Sequence, residues 1–338
     1  MRPSLSDIQM VLSDPSPALT EDLARRAASL TRQYFGRTIS LYTPLYLSNY
    51  CSSHCVYCGF NRSHTIQRKK LTAEEYRQEM RAIASTGIEN ILLLTGESPQ
   101  QTPLEYLEKA VHAAREFFPN VALEIYPLTE NGYCRLHAAG ADGVTIYQET
   151  YNRSRYAQVH LAGEKKDYDF RLGAPERIAR AGFHHLSLGI LLGLTDPAGD
   201  IYALFQHLRA LEKHYPGVEY SLSYPRLRTI KGQGFIPAEI SDVTLVRILS
   251  LTRIAFPRAG INLSTRESAA FREHTLGLGV TRISAGSRTA VGAYSPGQPK
   301  HQDPQFDIAD HRSVEEIKTM LKKKNFDPVL TDWRNLTI

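Results

Sequence analysis

Three of the four cysteines in this 338-residue chain stand in the run Cys51-Ser-Ser-His-Cys55-Val-Tyr-Cys58, spaced C-x3-C-x2-C. Three thiolates this close can converge on one soft metal centre. A closed structural zinc site takes four ligands, and so does a fully ligated [4Fe–4S] cluster. Three cysteines leave one iron of a cube open, as a catalytic metal site keeps one position free. The competing reading is a Cys3His zinc site completed by His54, although a ligand adjacent to Cys55 reaches tetrahedral geometry with difficulty. A disulfide scaffold is excluded, because four cysteines in 338 residues do not staple a fold. A second set of groups lies far along the chain. Arg266 stands near Ser264, and Ser284 follows in the run Ser284-Ala-Gly-Ser287. An arginine beside hydroxyls suits an amino-acid carboxylate; the bland alternative is an ion pair between Arg266 and Glu267 on a rim. Arg226 and Arg228 offer another anion site or a further rim network. Cys134, alone on a helix, reads as a small buried apolar residue.

These groups need a frame, and the pattern supplies one. Residues 17–35 predict an amphipathic helix ending at Gly36, with Leu23, Leu30 and Tyr34 on its apolar side. It is expected to cover one end of a barrel, as an N-terminal helical extension over residues 1–36. The strand Thr38–Leu47 follows and runs straight into the cysteines. A capping box at Thr72-Ala-Glu-Glu75 starts a helix to Gly87. Ile91–Thr95 reads as a strand buried on both faces. Helices at 102–118, 129–139, 171–181, 198–214, 239–256 and 268–275 then alternate with strands at 121–126, 143–147, 185–192, 219–224, 261–265 and 281–284. Ser313–Lys324 predicts the eighth helix, with Val314, Ile317 and Leu321 inward. Eight βα repeats predict an α/β fold, a closed (β/α)8 TIM barrel over residues 37–338 whose chemistry sits at the C-terminal strand ends. The cysteine run and the Ser264/Arg266/Ser284 set both fall there.

Composition narrows the function classes. A net charge of +5, from 40 basic and 35 acidic residues, is too small an excess to argue for nucleic acid. The runs Arg68-Lys-Lys70 and Lys322-Lys-Lys324 read as solvated faces. No stretch reaches 18 apolar residues, and the first residues lack the apolar core of a signal peptide. A reduced cytoplasm is the expected compartment, with no membrane partner.

The cysteine spacing, with Tyr57 before the third cysteine, resembles the signature of radical S-adenosylmethionine (SAM) enzymes. The resemblance implies a [4Fe–4S] cluster on Cys51, Cys55 and Cys58 whose open iron is chelated by SAM, and reductive cleavage of SAM to a 5′-deoxyadenosyl radical. Gly96-Glu97 matches the "GE" motif of that superfamily, where a backbone carbonyl takes the ammonium of SAM. Glu124 or Tyr126 on the third strand is expected at the ribose hydroxyls, with a barrel-interior ion pair as the alternative for Glu124. Glu149 ends the fourth strand. Arg171 is similar in place to the arginine that holds the SAM carboxylate in biotin synthase and its relatives. Gly189 is expected to lie against the adenine, although packing explains it equally well.

Further runs narrow the resemblance: Pro44-Leu-Tyr-Leu-Ser-Asn49, Thr95-Gly-Glu97, Tyr147-Gln-Glu-Thr-Tyr151, Pro225-Arg-Leu-Arg228, Leu263-Ser-Thr-Arg-Glu-Ser268, Ser284-Ala-Gly-Ser287 and Asp310-His-Arg-Ser313. Together they resemble the 2-iminoacetate synthase family, tyrosine lyases of thiamin biosynthesis, over nearly the whole chain. The resemblance implies abstraction of a hydrogen atom from the amino nitrogen of L-tyrosine, Cα–Cβ cleavage, and release of 2-iminoacetate (dehydroglycine) and 4-methylphenol. It further implies transient contact with thiazole synthase and a flavodoxin- or ferredoxin-type electron donor. A sister family that builds the diiron hydrogenase cofactor carries a second cysteine-bound cluster, whereas no cysteine follows Cys134 here. A relative acting on tryptophan is not separated by the carboxylate-binding arginine. A non-catalytic metal-binding barrel stays open as a reading of another class.

Overall fold

A strand that is apolar on both faces must be covered on both, and the sequence repeats such strands with helices between them. In the computed structural model, which describes residues 2–227, 235–295 and 303–331, they close into a barrel. Two helices come first, α1 (Leu5–Ser13) and α2 (Pro17–Phe35). The barrel strands are β1 (Thr38–Ser48), β2 (Asn90–Thr95), β3 (Asn120–Glu124), β4 (Gly143–Glu149), β5 (His185–Ile190), β6 (Glu219–Ser223), β7 (Gly260–Leu263) and β8 (Arg282–Ser284). All pair in parallel, each with the next, and β1 pairs with both β2 and β8. The three-residue β8 therefore closes the ring. A ninth strand, β9 (Asp327–Val329), joins the start of β1. The Asn90 amide clamps this tail by donating to the Leu41 and Leu330 carbonyls.

The helices are α3 (Ala73–Ala84), α4 (Leu104–Arg115), α5 (Glu130–Ala138), α6 (Arg153–Val159), α7 (Tyr168–Leu172), α8 (Ala174–Arg180), α9 (Pro197–His214), α10 (Asp242–Ala255), α11 (Ala269–Thr275) and α12 (Val314–Lys323). The capping box expected at Thr72 and Glu75 is formed, a contribution of about 1 kcal/mol. Val314, Ile317 and Leu321 of α12 face inward. Tyr34 does not: it is exposed, and Leu23, Ala27 and Thr31 form the buried stripe of α2. That stripe lies along α10. The buried Arg247 guanidinium stitches the N-terminal helices to α10, donating to the Val11, Asp14 and Ser16 carbonyls and the Thr20 hydroxyl.

One expected helix is two. The span 171–181 breaks at Gly173 into α7 and α8. Pro175 sits in the first turn of α8, and its missing N–H fits a helix start but not a continuing ladder. Arg171 accordingly closes α7 instead of opening a helix. Cys134 is a second correction: it is exposed. The buried face of α5 is Gly132, Tyr133 and Leu136, and Cys134 projects from the opposite side.

Candidate active site

The cysteines occupy a loop built directly on the end of β1. Its backbone is tied down on both sides. Ser52 donates its N–H and hydroxyl to the Glu97 carbonyl, both at 2.8 Å. On the other side the loop pairs with the segment after α6, through His54 N–H to Ala162 at 2.9 Å and Leu161 N–H to His54 at 2.8 Å. Gly96 must be glycine: a Cβ there would meet the Tyr50 carbonyl oxygen at 2.3 Å. Arg68 fastens the loop from below, donating to the carbonyls of Asn49, Phe60 and Asn61. Behind Cys55, the Tyr57 hydroxyl donates to His160 Nε2 at 2.7 Å, while Nδ1 donates to the Tyr156 carbonyl at 2.9 Å. Burial drives the His160 pKa down to about 2, so the ring stays neutral and keeps this tautomer.

All three thiols open on one cavity at the barrel mouth. Burial pushes each of them up, Cys51 to about 11; Glu97 adds to the rise at Cys51, whereas Lys165 opposes it at Cys55 and Cys58. Binding iron would displace these protons. Among the described residues, no three His, Cys, Asp or Glu side chains are grouped to hold a single metal ion. Thiols that each ligate a different iron of a cube need a wider spread than ligands sharing one ion. Three thiols opening on one cavity fit a [4Fe–4S] cube with one iron left for a ligand.

Beside the thiols lies a buried group of four charges. Glu97 Oε1 accepts from Arg171 Nη1 at 2.9 Å and lies 3.4 Å from Lys165 Nζ. Lys165 Nζ donates to Glu149 Oε1 at 2.5 Å, and Arg171 Nη2 lies 3.7 Å from the same oxygen. Burial alone would raise the Glu97 carboxyl, but the Arg171 and Lys165 charges outweigh it and hold the pKa below the ordinary value. Burial and Arg171 press the Lys165 pKa down; Glu149 and Glu97 reverse this and hold it above the ordinary lysine range. Glu149 is presented by an irregularity. The β4–β5 register shifts between Tyr147 and Glu149, and Glu149 has φ of 69°, a left-handed conformation that a non-glycine residue keeps only where surroundings impose it. Arg171 is braced by a 2.7 Å bond from Nε to the Tyr147 carbonyl. Glu97 Oε2 and Glu149 Oε2 are buried without a donor. Two orphaned carboxylate oxygens next to three thiols fit a ligand that brings an ammonium and sugar hydroxyls, as SAM does.

Across the mouth, Arg266 follows β7. Its guanidinium carbon lies 3.5 Å from the centroid of the Phe306 ring. Among the described residues no ion pair or hydrogen bond engages that guanidinium, and burial lowers its pKa. The rim pair belongs to others: Glu267 is held by Arg226, which also binds Asp242 at 2.7 Å. Arg228 lies outside the described residues. Ser284 Oγ accepts the Thr265 N–H at 3.2 Å and is also bonded to the Tyr42 hydroxyl, whereas Ser264 Oγ accepts the Arg266 N–H at 3.4 Å and has its hydroxyl proton available on the cavity side.

Two expected residues stand elsewhere. The Tyr126 hydroxyl donates to the Thr102 carbonyl at 2.5 Å, away from the cavity. Gly189 makes room for a neighbour: a Cβ there would meet the Tyr147 ring at 2.6 Å and the Ser223 carbonyl at 2.7 Å. Glu124 does line the cavity, without a bond to the four-charge group. Sequence reasoning missed Lys165, His160, Gln305 and Phe306. Gln305 accepts the Tyr46 hydroxyl at 2.8 Å and approaches Cys58 Sγ at 4.0 Å. These four lie in loops or on a short helix's end, where no periodicity or motif marks them.

Residues 45–208 match the radical SAM superfamily, and residues 223–327 match the biotin and thiamin synthesis associated domain. The 2-iminoacetate synthase of Salmonella typhimurium is 40% identical over 332 residues, 98% of this chain and 87% of that protein. The chain belongs to the 2-iminoacetate synthase family. The Escherichia coli 2-iminoacetate synthase is 41% identical over 97% of the chain and 86% of its own length. Among solved structures, HydG, a maturase of the [FeFe]-hydrogenase, superposes with a TM-score of 0.91 at 32% identity, over 97% of this chain and 73% of HydG. Members of this family work with a [4Fe–4S] cluster and SAM.

Proposed function

We propose that the chain is a tyrosine lyase that cleaves the Cα–Cβ bond of L-tyrosine to 2-iminoacetate and 4-methylphenol. The observation that carries this reading is the unpaired guanidinium of Arg266, facing the same cavity as three thiols and two orphaned carboxylate oxygens. Cys51, Cys55 and Cys58 hold the cluster. Glu97, Glu149 and Arg171, with the Gly96 backbone, hold SAM, and the Tyr57–His160 pair stiffens the loop behind it. Bound together, cluster and SAM supply a carbon radical able to abstract a hydrogen atom. The protein's part is placement. Arg266 holds the substrate carboxylate with its fork, Ser264 donates its hydroxyl proton to the same group, and Ser284 braces the turn beside them through the Thr265 N–H. The substrate's amino group then faces the thiol side of the cavity. Water must be kept out, because the imine product hydrolyses; Phe306 and the apolar wall residues Leu92 and Leu94 serve that end.

The imine passes to a consumer enzyme, thiazole synthase, and a flavodoxin- or ferredoxin-type protein delivers electrons in a cytoplasmic setting. Among the described residues no helix is long and apolar enough to cross a membrane. The deciding experiment is product analysis after anaerobic cluster reconstitution, with SAM, reductant and each aromatic amino acid in turn. Tyrosine should give 4-methylphenol with 5′-deoxyadenosine. An indole acid from tryptophan and no 4-methylphenol from tyrosine would overturn the substrate assignment.

A further inference from the structure

In an eight-stranded barrel, β3 and β7 stand four strands apart, so their ends face each other across the mouth. Arg266 follows β7, and Glu124 ends β3. Both line the one cavity and feel each other's charge across it. Among the described residues no hydrogen bond or ion pair engages the Glu124 carboxyl. Three aromatic side chains, Tyr42, Tyr46 and Tyr147, line the same cavity, and the Glu124 charge acts on their hydroxyls. The space between Arg266 and Glu124 is thus charged at both ends and aromatic between. A tyrosine held by its carboxylate at Arg266 would have its ring among these aromatics and its phenol toward Glu124.

We propose that Glu124 is the catalytic base for the substrate phenol. The inference rests on the tyrosine-lyase reading. As the Cα–Cβ bond breaks, the phenol O–H bond breaks too: the proton passes to a Glu124 carboxylate oxygen, and the electron pair stays on the phenolic oxygen. The benzylic fragment is then stabilised by an oxyanion instead of a neutral hydroxyl. It takes one electron from the reductant the reaction already requires and one proton from solvent at the methyl carbon. The proton on Glu124 returns to the phenolic oxygen, giving neutral 4-methylphenol and a carboxylate ready for the next turnover. Burial, assisted by the Glu149 carboxylate and opposed by Arg266, Lys165 and Arg171, raises the Glu124 pKa to about 7, which suits reversible proton exchange near neutrality.

The test is Glu124→Gln in cluster-loaded protein, assayed with tyrosine and with 3,5-difluorotyrosine, whose more acidic phenol needs no base. Cluster content and SAM affinity should match the wild type. Aryl product from tyrosine should fall about 100-fold, the scale of a general base, while product from difluorotyrosine stays near the wild-type level. Equal losses with both substrates would overturn the proposal in favour of a structural role. A rise in the SAM dissociation constant of about tenfold with no change in substrate preference would overturn it in favour of a ribose contact. An unchanged yield from tyrosine would overturn it outright. If Glu124→Gln fails to load its cluster, Glu124→Asp decides by the same ratio of the two substrates, which should shift toward difluorotyrosine. A wild type that makes no 4-methylphenol would sink the lyase reading itself, whereas a productive wild type with an equally productive Glu124→Gln sinks only this inference.

Discussion

Lys165→Met tests whether the four-charge group is an electrostatic unit. Lys165 Nζ sits 2.5 Å from Glu149 Oε1 and 3.4 Å from Glu97 Oε1, with all three side chains largely buried. At an effective dielectric of about 20, attraction over such distances is roughly 5–7 kcal/mol per contact. Repulsion from Arg171 and the desolvation of the ammonium cancel part of it. Removing one partner of a buried pair costs about 3–5 kcal/mol, because the other charge stays buried and uncompensated. For a chain of this size that is a fall of roughly 4–7 °C in melting temperature. The loss should shrink as the pH falls. Arg171 and Lys165 together hold the Glu97 pKa below its unfolded value, a stabilisation present above that value and lost as the pH falls; removing Lys165 gives up part of a contribution that acid removes anyway. Glu149→Gln added to Lys165→Met should recover most of the loss, with a coupling of at least about 2 kcal/mol. The assay is anaerobic calorimetry of the four proteins in the cycle between about pH 5 and pH 8. Additive melting shifts, or a Lys165→Met deficit that grows toward acid, would refute the electrostatic account.

Two shorter tests address the other walls of the cavity. Arg266→Lys should load its cluster and bind SAM, yet lose 4-methylphenol by at least about tenfold, since a lost charged hydrogen-bonding pair is worth about 1.5–3 kcal/mol; uncoupled 5′-deoxyadenosine should persist. A normal ratio of the two products, measured in one tube, would place the substrate carboxylate elsewhere. Cys58→Ala should abolish both the cluster absorption and SAM cleavage, whereas Cys134→Ala, altering an exposed thiol on α5, should keep iron and sulfide content unchanged; retained SAM cleavage in Cys58→Ala would contradict the ligand assignment.

The barrel was legible because its strands are apolar on both faces and its helices carry caps and stops that act locally. Ile91–Thr95 and the capping box at Thr72 need no tertiary information to be read. The segment between β4 and α8 was not legible. Residues 153–172 fold into two short helices and an all-charged 3-10 turn, Glu164–Lys166, too short to show an apolar period. Their order comes from tertiary bonds, such as Lys165 N–H to Ser53 Oγ at 3.1 Å and the pairing with the cysteine loop. Gly163 has φ of 85°, and a Cβ there would strike the Ser52 carbonyl. Lys165, the cation that completes the four-charge group, is delivered by this segment alone.

The choice between Arg266 and its neighbours shows the same limit from the other side. Arg266 and Glu267 adjoin in sequence, so an ion pair between them is a natural reading. The chain turns after Leu263, with the Glu267 N–H bonded to the Ser264 carbonyl at 3.3 Å, so Ser264, Thr265 and Arg266 line the cavity while Glu267 is carried out to the rim. There Glu267 meets Arg226, which the parallel β6–β7 pairing brings alongside. That pair consumes the anion that Arg266 would otherwise have found. A buried arginine left without a bound anion is under pressure to acquire one, and a substrate carboxylate is the anion the proposed reaction brings. Glu124, across the same space, is the complementary case: a carboxyl with no cation bound to it, placed where the far end of that substrate arrives.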